Sequence, residues 1–263
     1  MTQTAPEIFR FVQMNIWNGR LYYPIDAFLK RERPDILCAQ EMLSGEDNLS
    51  PSFWTAETLV QAGHFNQSQT TPPIPFYEMW DKSAGIVNAV LTGERLSSTF
   101  QHTIFPYEPE GEITTQLQRH IDYYSMVHTE QRLADGRVLH VLSHHNHIVR
   151  NEAGRLYSKT SEINFKTIAE YIATLSGPVI FSGDFNLFKE STCLQPLKEI
   201  GLTNLNDVHN IQHARNEFSW KAEECVSHVF ISPDIQVHDY RVATDNVSDH
   251  LPLVMDFSLK LKS

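Results

Sequence analysis

Cysteine is scarce in this 263-residue chain: Cys38, Cys193 and Cys225 form an odd, scattered set with no CxxC spacing. That argues against a disulfide framework and against a thiolate zinc site. Cys38, inside the apolar run DILCA, reads as a small core residue. Long apolar runs are missing too, so no membrane-spanning helix is expected. The stretch MTQTAPEIF has neither a basic n-region nor an apolar h-region, and no signal peptide is expected there. A reducing, soluble and cytoplasmic setting fits these absences. Cations are also few, with 21 Lys and Arg against 32 Asp and Glu and a net charge of −11. An extended grip on a polyphosphate chain needs many cations, so that class of binder is disfavoured. Nucleic acid is not excluded, because bound metal ions can invert a local field.

What remains is the composition of an ordinary globular protein, 41% hydrophobic and 20% charged, which allows a large core. No internal repeat or long linker interrupts it, so residues 1–263 read as a single domain. IFRFVQMN at 8–15 has the β-branched and aromatic content of a first strand. Ile25, Phe28 and Leu29 mark a helix over 24–33 that Pro34 closes, and DILCAQE at 35–41 follows as a buried strand. Residues 44–75 read as a helix and then an ordered surface loop, and 84–92 as another strand. A second irregular stretch is expected over 101–118, around FPYEPEGE. IDYYSMVHT and RVLHVLSHH flank ADG, the strongest hairpin signal in the chain.

Ile163, Ile168, Ile172 and Leu175 mark a helix over 158–175, stopped at Gly177-Pro178 ahead of the strand PVIFSGD. A short helix around 193–200, then VSHVFIS and PLVMDFSLKLK, complete the set. In the last strand Leu253, Met255, Phe257, Leu259 and Leu261 alternate with Asp256, Ser258 and Lys260. Strands outnumber helices, and hairpins mix with helical crossovers. The expected architecture is two packed sheets with helices outside.

Polar groups gather where these strands end. Asn15 ends the first and Glu41 the second; His144, His145 and His147 end the hairpin. Asp184 and Asn186 follow VIFSG, and Asp249-His250 precede the last strand. Strand ends that face one edge of a layered sheet share a cleft. Carboxylates with an Asn carbonyl suit a hard cation such as Mg²⁺. A histidine beside a carboxylate is poised for proton transfer near neutrality. Each element also has a plain structural reading: Asn15 as a turn residue, SGDFN as a turn with unusual backbone angles, SDH as a loop. Glu41 is harder to explain so, since a carboxylate after an apolar run must be solvated, paired or metal-bound. On a strand His145 and His147 share a face and His144 points away, which ranks a three-histidine zinc site low.

In this order the motifs QMNIWN, CAQEM, LSHHNHI, FSGDFNL and VSDHLPL resemble the endonuclease/exonuclease/phosphatase superfamily, over residues 10–257. The resemblance implies the DNase I-like fold, a four-layer α/β sandwich of two mixed sheets flanked by helices. It implies a hydrolase that uses Mg²⁺ or Mn²⁺ and in-line attack of water on the phosphorus of a phosphoester. By the same resemblance Glu41 binds the metal, with Asn15 and Asp249. Asp184 orients or deprotonates the water, Asn186 positions water and phosphate, and His145 and His250 attend the phosphate oxygens or move the proton. The expected substrate is a phosphoester: a nucleotide, a short nucleic acid or a small phosphodiester. A lipid-headgroup phosphodiesterase and a catalytically weakened binding module of the same fold are the alternatives.

One position departs from the family pattern. Ser227 in VSHVFIS stands where the family has an Asp paired with the SDH histidine, and Glu223 or Glu224 is the candidate to supply the missing charge. Specificity is expected in the loops at 44–75 and 101–118, whose aromatics (Phe53, Trp54, Phe105, Tyr107) can equally be loop anchors.

Overall fold

A computed structural model of the chain describes residues 6–44, 53–75, 85–104, 124–148, 152–219 and 224–260. With strands numbered in chain order, the first sheet runs β12 (Ile235–Val242), β13 (Leu253–Leu259), β1 (Phe9–Asn15), β2 (Ile36–Ser44), β5 (Gly85–Thr92), β3 (Gln67–Thr70), with β4 (Ile74–Pro75) also on β5. The second runs β10 (Thr203–Asn204), β11 (Ser227–Ile231), β9 (Val179–Asp184), β8 (Val138–His145), β7 (Met126–Arg132), β6 (Ser97–Ile104). Both sheets are mixed. β1 with β2 and β8 with β9 are the parallel pairs, and each is joined by a helical crossover of the kind parallel strands require.

Three apolar layers make the sandwich. Phe11, Cys38 and Met255 from one sheet meet Val141, Ile180 and Val229 from the other in the central layer. On the outer face of the first sheet, Val12, Leu37 and Ala89 pack under α1 (Tyr22–Glu32) and α2 (Ala56–Gln61). On the outer face of the second, Leu142, Phe181 and Phe230 pack under α4 (Lys159–Ile172), which follows the short α3 (Glu152–Leu156). Adjacent residues such as Phe11 and Val12 are both buried because each sheet is covered on both faces. This is the expected four-layer α/β arrangement.

The middle of the first sheet joins distant parts of the chain. Phe9 pairs with Phe257 across the antiparallel β1–β13 ladder. Arg10 holds Asp256 with a two-pronged grip, Nε to Oδ1 at 2.7 Å and Nη2 to Oδ2 at 2.8 Å. Such bidentate pairs are the strong form of the interaction.

Several expectations need correction. Residues 97–104 form a strand whose last four positions fall in the stretch read as irregular; 105–118, including Phe105 and Tyr107, lie outside the described residues. β6 is largely exposed, so it carries no apolar alternation to betray it. The stretch 44–75, read as a helix and then a loop, holds β3 and β4 after its helix. β12 went unread because a register shift between Val237 and Asp239 breaks its period. Ile163 is exposed, and the buried face of α4 is Phe165, Ile168, Ala169 and Ile172. Leu261 lies outside the described residues. Trp54 is an anchor: its ring stacks on Tyr22 at 4.2 Å and its Nε1 donates to the Tyr22 carbonyl. No helix among the described residues is long and apolar enough to cross a membrane.

Candidate active site

Parallel pairing sets Asn15 beside Gln40 and His145 beside Asp184. The second of these neighbours depends on Gly183. A Cβ there would lie 1.8 Å from the His144 carbonyl oxygen, so any side chain would force β8 and β9 apart. Glu41 does not end its strand, as expected from sequence, but sits within β2 at a bulge. The register against β5 shifts between Ala39 and Met42, and Glu41 has φ +54°. A bulge of this kind re-aims a side chain. Gln40 points into the seam between the sheets, taking a hydrogen bond from Gln13 at 2.6 Å and giving one to Ser143 Oγ at 3.0 Å. Glu41 is turned to Asn15.

Asn15 joins the halves of the site. Its Nδ2 donates to Glu41 Oε1 at 3.0 Å and to Asp184 Oδ2 at 3.1 Å, while its Oδ1 accepts the Trp17 backbone N–H at 3.0 Å. The backbone contact fixes which end of the amide faces the carboxylates. Around Asp184 Oδ2 stand His250 Nε2 at 3.4 Å and His145 Nε2 at 3.8 Å; His145 Nε2 is also 4.0 Å from Glu41 Oε1. Asp184 Oδ1 accepts the Asn186 backbone N–H at 3.0 Å. Asn186, at φ +52°, turns its Nδ2 to the Asn146 carbonyl at 3.0 Å and to His145 Nε2 at 3.2 Å. Five of the seven expected residues, Asn15, Glu41, His145, Asp184 and Asn186, are thereby joined by hydrogen bonds, and a sixth, His250, stands against Asp184 at 3.4 Å. The seventh, Asp249, adjoins His250 and faces Arg215, whose Nη1 is 3.6 Å from Asp249 Oδ2.

The charges are strongly biased. Burial would raise the Asp184 carboxyl, but His250, His145, the Arg215 guanidinium and the Asn15 amide together hold it well below the usual carboxylate range. Burial pushes His250 down, with Arg215 acting the same way and Asp184, Asp249 and Glu41 opposing. His144, on the opposite face of β8, packs among Phe165, Phe181 and Phe185, and burial lowers it to about 3. It is a core residue, as the alternation of the strand implies.

Ser227 Oγ lies 3.2 Å from His250 Nδ1, where the family's Asp was expected. Glu224 is 3.6 Å from Arg155 Nη2, and Glu223 lies outside the described residues. Arg155 itself carried no signal in the sequence. It is buried, and its Nη1 donates to the Asn186 carbonyl at 2.9 Å and to Asn186 Oδ1 at 2.5 Å. With Oδ1 so engaged, it is the NH₂ of Asn186 that meets His145 Nε2 and the Asn146 carbonyl. Asn146 and Arg215 were missed for the same reason: their neighbours come from remote segments and no local spacing marks them.

No family model matches the chain. Over 137 residues it is 27% identical to a UPF0294 protein of Vibrio campbellii, a match covering 51% of this chain and 45% of that protein. The chain thus matches less than half of that relative's length. Among solved structures, the human Nocturnin catalytic domain with bound sulfate anion has a TM-score of 0.70 at 17% identity, covering 96% of this chain and 95% of that one. An endonuclease/exonuclease/phosphatase from Bacteroides vulgatus has a TM-score of 0.70 at 15% identity, covering 97% and 100%. A mannosyl-6-phosphatase of Bacteroides thetaiotaomicron has 0.65 at 14% identity, covering 95% and 100%.

Proposed function

We propose that this chain, which has the DNase I-like fold of the endonuclease/exonuclease/phosphatase superfamily, hydrolyses a phosphoester by in-line attack of water on phosphorus. The observation that carries the reading is the setting of Asp184. A buried carboxylate kept ionised between two imidazoles and two amides is equipped to hold and deprotonate a water. Asn186, locked through Oδ1, holds His145 Nε2 with its NH₂ and would pass that donor to the water or a phosphoryl oxygen when substrate binds. His145 and His250 stand where charge develops on the non-bridging oxygens, the arrangement electrostatic catalysis requires. The new P–O bond forms from water, whose proton passes to Asp184 or His250. The opposite P–O bond breaks, and the departing oxygen takes a proton from solvent or from a protonated His145 or His250 and leaves as the alcohol.

The donor set suits a hard divalent cation. Among the described residues no three His, Cys, Asp or Glu side chains close into a cage. Mg²⁺ does not need one, since it is commonly held by one or two carboxylates, water and substrate oxygens. Glu41, partly exposed and steadied by Asn15, would hold Mg²⁺ or Mn²⁺, with Asp249 as the further carboxylate. Such an ion polarises a phosphoryl oxygen and neutralises charge on the leaving oxygen.

The test is a panel of phosphomonoesters, phosphodiesters and duplex DNA assayed with Mg²⁺, Mn²⁺ and Ca²⁺. EDTA is expected to abolish turnover and Mg²⁺ or Mn²⁺ to restore it. Glu41→Gln should weaken metal affinity by at least about tenfold to a hundredfold, the range that loss of a mere outer-shell partner already produces. Full activity in EDTA would sink the metal assignment. The net charge of −11 supports a small or end-bound substrate. KM for it should rise only a few-fold between 50 and 200 mM salt, by roughly the counterion release of one or two phosphates. Efficient duplex cleavage with a steep salt slope would point instead to an endonuclease.

Ser227 gives a separate handle. A serine adds no negative charge beside His250, so Ser227→Asp should raise the His250 pKa and displace the pH–rate profile to higher pH. A profile that stays in place would show that the imidazole is not the titrating group.

A further inference from the structure

Two arginines are buried against this site, and they differ in what their donors do. Arg155 directs Nη1 at both oxygens of Asn186, so it acts as a brace, with its Nη2 3.6 Å from Glu224. Arg215 is differently placed. The segment carrying it is pinned to the stretch ahead of β13: Leu251 donates its backbone N–H to the Ala214 carbonyl at 2.9 Å, and Asn216 donates to the Asp249 carbonyl at 3.4 Å. An isolated antiparallel bridge pairs Arg215 with His250. Its side chain is only 8% exposed. Yet among the described residues its Nη1 donates to Ser219 Oγ at 3.0 Å and stands 3.6 Å from Asp249 Oδ2, too far for the forked pair that arginine and carboxylate normally form. Among the described residues its Nε, like that of Arg155, is buried with no hydrogen-bond partner. A guanidinium has five N–H donors, and leaving them unused in a buried place is costly unless something else receives them.

We propose that Arg215 is a phosphate-binding residue of this site, its guanidinium donating to a non-bridging oxygen of the phosphoryl group on the His250 side of the cleft. The inference rests on the hydrolase reading for the identity of the anion, and it adds a residue outside every motif of the chain. The geometry explains three facts together. The planar fork matches a phosphoryl group, the unused donors await oxygens, and the ion pair with Asp249 is loose enough to yield some of them. The field of Arg215 also reaches the reacting groups, because it helps to keep Asp184 ionised. A fixed cation beside Asp249 supplies charge where a second metal ion would otherwise be needed to neutralise the phosphoryl oxygens.

The test separates binding from turnover. Inorganic phosphate is titrated calorimetrically into the full chain with Mg²⁺, using wild type, Arg215→Gln and Arg215→Lys. Phosphate should bind wild type, bind the Gln variant about tenfold to a hundredfold more weakly, as for loss of charged hydrogen bonds, and bind the Lys variant at an intermediate level. If the Gln variant does not fold, wild type against Lys carries the comparison. Adding guanidinium ion should restore part of the turnover lost in Arg215→Ala. Equal phosphate affinity in wild type and the substituted chain, or no phosphate binding by wild type, overturns the proposal. A wild type that hydrolyses phosphoesters while Arg215→Gln keeps the same kcat and KM removes Arg215 and leaves the hydrolase reading standing. Phosphate binding that depends on Arg215, with no hydrolysis of any ester, does the reverse.

Discussion

Asp184→Asn should lower kcat by about a thousandfold, within the range general-base catalysis contributes, while the chain stays folded. The substitution keeps the shape and removes the charge. It also sets an NH₂ group against a donor, because Asp184 accepts from Asn15 Nδ2 on one oxygen and from the Asn186 backbone on the other. Whichever way the new amide turns, one donor is left facing another. His145, His250 and Arg215 then lose the carboxylate they share, and the site becomes too positive to take a proton from water. Steady-state kinetics, with circular dichroism as a control on folding, reads the outcome. More than a tenth of wild-type kcat in a folded variant would mean that Asp184 is not the water-activating group.

Acid should unfold the protein well above pH 3. Burial lowers His128 and His144 to about 3 and His228 to about 4. In the unfolded chain each takes up its proton near pH 6.5. Below that pH the unfolded state binds more protons than the native one. Stability is therefore full above about 6.5 and is lost as pH falls toward the folded-state values. Three such rings give a slope of up to about 4 kcal/mol per pH unit. Against a typical total of about 5–15 kcal/mol, an unfolding midpoint between about pH 4 and 5 is expected. Far-UV circular dichroism across pH gives the midpoint. His144→Leu, which replaces a neutral ring among three phenylalanines, should move it to lower pH. A native spectrum that persists below pH 3 would contradict the argument.

Much of this molecule was legible before its structure, and the illegible parts share a cause. β1, β2, β9 and β13 are buried on both faces or alternate cleanly, and their apolar runs announce them. The site's motifs were readable because each lies within a few residues of such a strand. β6 was hidden because it is exposed, and β12 because its period is broken midway. The bulge at Glu41 could not be read either, since an extra residue in a strand is visible only against its partner. Arg155 and Arg215 are recognisable only from the segments they meet, so no local spacing could have shown them.

The clasp between β1 and β13 bears on how the protein comes into being. Arg10 meets Asp256 across a separation of 246 residues, and the strand beside the first is the last of the described strands to leave the ribosome. Until then β1 lacks its neighbour on that side and is open to pairing with other chains, the hazard of an uncovered edge. Contacts of such long range close slowly. His250, three residues ahead of β13, emerges just before that strand. The proposed active site would thus remain incomplete throughout synthesis and be finished in the same event that brings β13 to the first sheet.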